Sequence, residues 1–135
     1  MRKVLVFGTF DIFHPGHLSF LRQARRYGDR LYAVVARDRT VLAVKKRLPI
    51  QAESERLASV KASGLVDEAR LGNLGDKYSA IKKIRPQVIC LGYDQAYLTS
   101  NLAEKLASLD IEAEIIKLRP YRPDIYKSSK IRKKQ

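Results

Sequence analysis

Apolar residues fall into two rhythms along this chain. Short unbroken runs, Val4 to Phe7, Leu31 to Ala36 and Val88 to Leu91, have the length and character of strands buried on both faces. Between them apolar positions recur at three- and four-residue spacing, the period of a helix with one buried side. Leu18, Leu21 and Ala24 predict a helix from about Gly16 to Tyr27, ended by Gly28-Asp29. Leu57 and Val60 predict another over Gln51–Ser63, stopped by Gly64. Further helices are expected over Lys77–Ile84, closed by Arg85-Pro86, and over Asn101–Leu109. Val66–Leu71 and Glu112–Leu118 read as the remaining strands, Arg37 to Pro49 as a basic loop, and Gly72–Gly75 as a turn. Strand and helix in alternation predict an α/β fold: one domain over residues 1–135, with a parallel sheet of about five strands flanked by helices and right-handed crossovers.

Composition narrows the class. With 135 residues there is material for one core, and no apolar run approaches the ~20 residues of a membrane span. The N-terminal apolar stretch is too short for a secretory signal. A lone cysteine, Cys90, forms no internal disulfide and suits a reducing, cytoplasmic setting; in its strand it reads as a small core residue. Charge changes the picture more. There are 27 Lys and Arg against 14 acids, a net +13. From Lys117 to Gln135 eight basic residues face one acid, so seven of those thirteen charges sit in the last segment, where residues 127–135 read as a basic helix or tail. A second cluster is Lys45-Lys46-Arg47. Such an excess attracts polyanions such as nucleotides, phosphorylated small molecules or RNA without choosing among them.

The candidate chemistry gathers where the first strand meets the first helix. Gly8, Thr9, Phe10 and Asp11 lead to His14, Pro15, Gly16 and His17, and these two histidines are the only ones in the chain. A strand, a tight polar turn and a helix start follow one another, which aims the first free helix N–H groups out of the sheet edge toward an anion. Gly8 supplies backbone freedom and close approach, Pro15 suits a first helical turn, and Gly16 leaves room for a bulky ligand. Three residues apart, His14 and His17 point to one side, where imidazole N–H groups donate to phosphate oxygens. A helix cap at His14 over a half-buried His17 is the plain alternative. Two histidines and one distant cysteine make a poor zinc shell.

These residues resemble the nucleotide site of the HxGH nucleotidyltransferase superfamily, in its cytidylyltransferase-like branch. Gly92-Tyr93-Asp94-Gln95, Ala36 to Val41 and Lys82 to Pro86 narrow the likeness to the archaeal-type FAD synthases, which are FMN adenylyltransferases. The resemblance implies a Rossmann-like fold and transfer of AMP from ATP to FMN, giving FAD and pyrophosphate. It implies His14 and His17 as the catalytic pair, with Gly8, Thr9, Phe10, Asp11, Pro15 and Gly16 around the nucleotide. It implies a phosphate-binding lysine at Lys45 or Lys46, between which the residues do not choose, and Arg56 reaching the phosphates. An exposed Arg56 paired with Glu53 or Glu55 is the alternative. Asp94 after a strand is read at the nucleotide sugar or base, and Tyr121 near the nucleotide. Ser128 and Ser129 partly match an Ile-Ser-Ser-Thr-x-Ile-Arg-like motif, from which Tyr126-Lys127 departs.

The expected partners are therefore ATP, with Mg²⁺ or another divalent ion carried mainly by its triphosphate, and FMN; Asp11 is the nearest candidate protein ligand to that ion. Tyr93, Tyr97, Tyr121 and Tyr126 are candidate walls for a flavin. No nucleic acid or membrane partner is expected, and the resemblance suggests a homodimer. CTP-dependent transfer to glycerol 3-phosphate or a similar phospho-alcohol is the rival within the enzyme class. A basic RNA-binding module is the rival outside it, although an RNA-binding role leaves the histidines idle and no interleaved aromatic-basic motif is present.

Overall fold

The computed structural model describes residues 1–92 and 101–119. Five strands, β1 (Lys3–Gly8), β2 (Arg30–Val35), β3 (Glu68–Leu71), β4 (Val88–Leu91) and β5 (Glu114–Lys117), form one sheet in the order β3-β2-β1-β4-β5, every pairing parallel. Helices α1 (Pro15–Arg25), α2 (Asp38–Lys45), α3 (Glu53–Ala62), α4 (Ser79–Ile84) and α5 (Leu102–Ser108) fill the crossovers. The expected α/β architecture and strand count are what the structure shows.

The unbroken apolar character of β1 follows from its central place. Successive side chains alternate between faces. Val4 and Val6 join Leu21 and Ala24 of α1 and Val60 of α3 in one core, while Leu5 and Phe7 join Ile81 of α4 and Leu102 and Leu106 of α5 in the other. The edge strand β5 is mostly exposed, with charged residues at both its ends. Cys90 is buried in β4, where burial raises its thiol pKa to about 12, as expected of a core residue. Gly64, at φ 73°, ends α3 in the left-handed conformation read from sequence.

The segment after β2 corrects the sequence reading. Residues 38–45 form α2 and not a loop, with Lys46 as a left-handed cap at φ 65°. The local sequence hides this helix. Arg37 at its N-cap makes no side-chain cap bond, and Val41 is its one buried residue. The missing cap comes from 15 residues away. The Asp38 N–H donates to Glu53 Oε1 at 2.9 Å, and the Glu53 N–H donates back to Asp38 Oδ2 at 3.3 Å. The N-termini of α2 and α3 therefore cap each other reciprocally. That backbone bond, helped by Arg37, also holds the Glu53 carboxyl below its ordinary range.

The order in which strands are added to the sheet reverses at β1. Strands β2 and β3 are added on one side of it, β4 and β5 on the other. The carboxyl edge beside β1 is thus the topological switch point, where open α/β sheets bind ligands. The 8–17 stretch leaves the sheet at this edge.

Candidate active site

The loop from Gly8 to His14 is shaped by residues other than its glycine. Left-handed backbone falls at Phe10 (φ 56°) and Ile12 (φ 50°), not at Gly8. Few side-chain-bearing residues adopt that region, so neighbours must hold them there. The Phe10 ring folds back into the core, 3% exposed. A Cβ on Gly8 would lie 2.6 Å from its Cε2. Gly8 is therefore required by the Phe10 ring, not by unusual dihedrals of its own.

Asp11 is buried at 2% exposure. Its Oδ2 accepts from the Ile50 N–H at 2.8 Å and its Oδ1 from the Gln51 N–H at 3.0 Å. Gln51 returns a bond, its Oε1 accepting from the Ile12 N–H at 3.0 Å. The loop before α3 is thus laced to the loop before α1. Both Asp11 oxygens serve this lacing, and among the described residues no group of three or more His, Cys, Asp or Glu is placed to hold a metal. The protein donors do not fit a resident metal centre.

Arg56 is the largest fully buried side chain. Its guanidinium donates to Gln51 O at 3.1 Å, to Thr9 O at 2.8 Å and to Asp38 Oδ1 at 2.7 Å. This corrects the exposed reading: Arg56 does not sit exposed beside Glu53 or Glu55, and its guanidinium bonds go to protein groups, clamping the Thr9 loop, α2 and α3 together. The Arg37–Glu53 ion pair at 2.8 Å extends the same web. Sequence reasoning missed the roles of Asp38, Gln51 and Glu53, because each contact joins segments far apart in the chain.

The two histidines are stacked, ring centroids 3.8 Å apart and planes 23° from parallel. His14 is the N-cap of α1, its Nδ1 accepting from the Gly16 N–H at 3.0 Å. His17 closes the capping box, its Nδ1 accepting from the His14 N–H at 3.3 Å. The His17 and Leu18 N–H groups both go to His14 O, and Pro15 has none. The first-turn N–H groups expected to meet an anion are therefore used within the helix. A nitrogen that accepts carries no proton, so each neutral ring bears its hydrogen on Nε2. Both rings are engaged in the cap through Nδ1 and carry their hydrogen on Nε2, so the cap role does not exclude donation from that nitrogen.

Burial lowers the pKa of both imidazoles. For His17 burial, with repulsion from His14 and Lys45 outweighing attraction to Asp11, takes the value to about 3. Both rings are neutral near pH 7. Phe10 meets His17 edge-on, ring centroids 5.5 Å apart, and fixes its face. The electrostatic reach of Lys45 to His17 separates it from Lys46, which caps α2.

A cavity of about 260 Å³ opens at the same sheet edge, on the α4 side. Gly8 ends one wall, and Gly72 and Asn73, from a turn given no role on sequence grounds, form another. Asp94, Tyr121, Ser128 and Ser129, like Tyr93, Tyr97 and Tyr126, lie outside the described residues. The last described residue, Arg119, is held against α1, its N–H and C=O paired with the Gln23 side-chain amide at 3.0 Å each.

Comparison with known proteins agrees with this geometry. The cytidylyltransferase-like family model matches residues 5–134. An FAD synthase of Methanosarcina barkeri is 46% identical over 118 residues, 87% of this chain and 84% of that protein. An FAD synthase of Methanohalophilus mahii is 41% identical over 135 residues, 99% of this chain and 94% of that protein. Among solved structures, a lipopolysaccharide core biosynthesis protein from Thermoplasma volcanium superposes with a TM-score of 0.84 at 37% identity, covering 90% of this chain and 98% of that one. With its five-stranded parallel sheet, its stacked His14–His17 pair and a match over nearly its whole length, this chain belongs to the cytidylyltransferase-like family of HxGH nucleotidyltransferases.

Proposed function

We propose that this chain, as one nucleotidyltransferase domain, transfers AMP from ATP to FMN, giving FAD and pyrophosphate. The observation that carries the reaction type is the stacked pair of neutral imidazoles at the start of α1, both with Nδ1 engaged in the cap and the hydrogen on Nε2. FMN as acceptor is supported by the relatives named FAD synthase at 46% and 41% identity.

A phosphate oxygen of FMN attacks the α-phosphorus of ATP. The new O–P bond forms as the bond to the β-phosphate oxygen breaks, and pyrophosphate leaves with that electron pair. No enzyme nucleophile is needed; the protein positions two polyanions and stabilises the charge that moves onto the leaving group. His14 and His17 donate through Nε2–H. Lys45 adds a positive charge beside them, a better-placed candidate than Lys46. Thr9, Phe10, Asp11 and Arg56 act by holding the loop in shape. A divalent ion brought by ATP would supply further charge neutralisation at the phosphates. Asp94, Tyr121, Ser128 and Ser129 complete the proposed nucleotide site.

The test is pyrophosphate release with Mg²⁺, crossing ATP and CTP with FMN and glycerol 3-phosphate, products identified by mass. FAD from ATP and FMN is expected. CDP-glycerol would replace the acceptor and the nucleotide while keeping the chemistry. RNA affinity that falls steeply with salt, with no turnover in any pairing, would overturn the enzymatic reading.

A further inference from the structure

We propose that Gln51 is a positioning residue for the histidine pair: its side-chain amide holds the turn at Ile12 that aims the chain into His14, and its backbone ties that turn to the chain returning from α2. The kinetic consequence rests on the nucleotidyl-transfer reading above. Two residues of the loop stand in left-handed backbone, Phe10 and Ile12. Phe10 is kept there by its ring, which is locked in the core. Ile12 has no such anchor; it is half-buried and belongs to neither core of the sheet. A β-branched residue at φ 50° is a rare conformer that relaxes unless neighbours hold it. Its backbone N–H is taken by the Gln51 side chain, Oε1 accepting at 3.0 Å.

Gln51 is itself fixed from two sides. Its N–H donates to Asp11 Oδ1 at 3.0 Å, and its C=O accepts from Arg56 Nε at 3.1 Å. One residue thus grips Asp11 through its backbone and Ile12 through its side chain. The segment that returns from α2, with Lys45 at its head, ends on this anchor. Two residues beyond Ile12 stands His14, whose N–H goes to His17 Nδ1 at 3.3 Å and whose Nδ1 caps α1. With Ile12 released to negative φ, the chain enters His14 along another direction, and both Nε2 positions move. A displacement of about 1 Å is enough to cost a preorganised donor much of its effect. Gln51 is uncharged, so its loss strands no buried charge, unlike the loss of Arg56 or Asp38. The effect falls on turnover more than on folding.

The experiment uses the full chain, with Gln51→Met, which is close in length but has no such acceptor, with Ile12→Asn, and with the two combined. Asparagine adopts left-handed backbone far more readily than a β-branched residue, so it takes over the work of the Gln51 amide. kcat and KM are measured well below the unfolding midpoint, and the imidazole nitrogen NMR signals of His14 and His17 are recorded without substrates. Gln51→Met is expected to lower kcat about tenfold, with KM for ATP within about twofold, and to shift both imidazole signals. Adding Ile12→Asn is expected to return kcat to within about threefold of the parent and the signals to their parent positions. Parent kcat or parent signals in Gln51→Met would overturn the proposal. So would losses that Ile12→Asn leaves uncorrected, since Gln51 would then act on something other than the turn. If the parent makes no FAD, the imidazole signals decide alone. A shift reversed by Ile12→Asn then upholds the positioning role while the transfer reading falls, and unshifted signals overturn the positioning role as well.

Discussion

His14 caps α1, and the donation to phosphate proposed for it is a second job that substitution separates from the first. Asparagine at an N-cap still offers a side-chain acceptor to the Gly16 N–H but brings no donor to the Nε2 position. His14→Asn should therefore keep the parent's unfolding midpoint in urea while turnover falls by about a hundredfold, the scale of losing one preorganised donor. His14→Ala should lose about 1 kcal/mol of stability as well. A variant that keeps full turnover would remove His14 from the chemistry. The depressed His17 pKa has a thermodynamic signature. The folded state resists a proton that the unfolded chain accepts below its ordinary value of 6.5. Stability is then complete above that pH and declines as pH falls from 6.5 toward 3, by up to about 1.4 kcal/mol per unit. Between pH 6.5 and about 5, ahead of most carboxylate titration, His17 should cost about 2 kcal/mol in urea unfolding, and His17→Asn should flatten that slope. Activity should show no limb from His17 titration in this window.

At the scale of elements, the site depends on three helix starts fastened to one loop. Asp11 holds the chain ahead of α3, Asp38 and Glu53 cap each other's helices, and Arg56 joins all of them from a position with 0% exposure. Removing one member of a buried ion pair strands the other. Arg56→Ala should cost about 3–5 kcal/mol, and Asp38→Ala, which leaves the guanidinium buried beside a vacancy, a comparable amount. Calorimetry would show the lowered midpoint. Activity measured well below that midpoint should fall through misplacement of Thr9 and the histidines. An Arg56→Ala protein as stable as its parent, but with KM for ATP raised, would return Arg56 to the phosphates. The same web explains α2: reciprocal capping and a single buried valine suffice to make a helix where the local pattern shows none.

For the whole molecule, the parallel sheet sets a linear motif at the edge between its two faces. The histidines lie on the α1 face, the cavity on the α4 face, and Gly8 at the edge between them. A net charge of +13 gives the chain a field favouring anionic substrates. Screening shortens its reach to ~8 Å at physiological salt and ~3 Å at 1 M. KM for both polyanionic substrates should rise several-fold as KCl is raised across that range, with kcat changing far less, since bound substrates are in contact with their cations. A KM indifferent to salt would confine the charge excess to surfaces that do not guide substrates. Among the described residues no helix is long and apolar enough to cross a membrane.

By itself the sequence determined the α/β alternation, the buried strands, the helix stop at Gly64 and, through the motif at residues 8–17, the family. These rest on local periodicity, turn residues and a contiguous motif, all carried by neighbours in the chain. Tertiary structure alone decided the rest. The α2 helix, the burial of Arg56, the anchoring role of Asp11, the reason for Gly8 and the standing of Lys45 beside His17 each depend on a partner brought in by folding. A residue's chemistry is written in its type, but whether its donors and acceptors face a ligand or are spent on the protein is set by contacts across tens of residues.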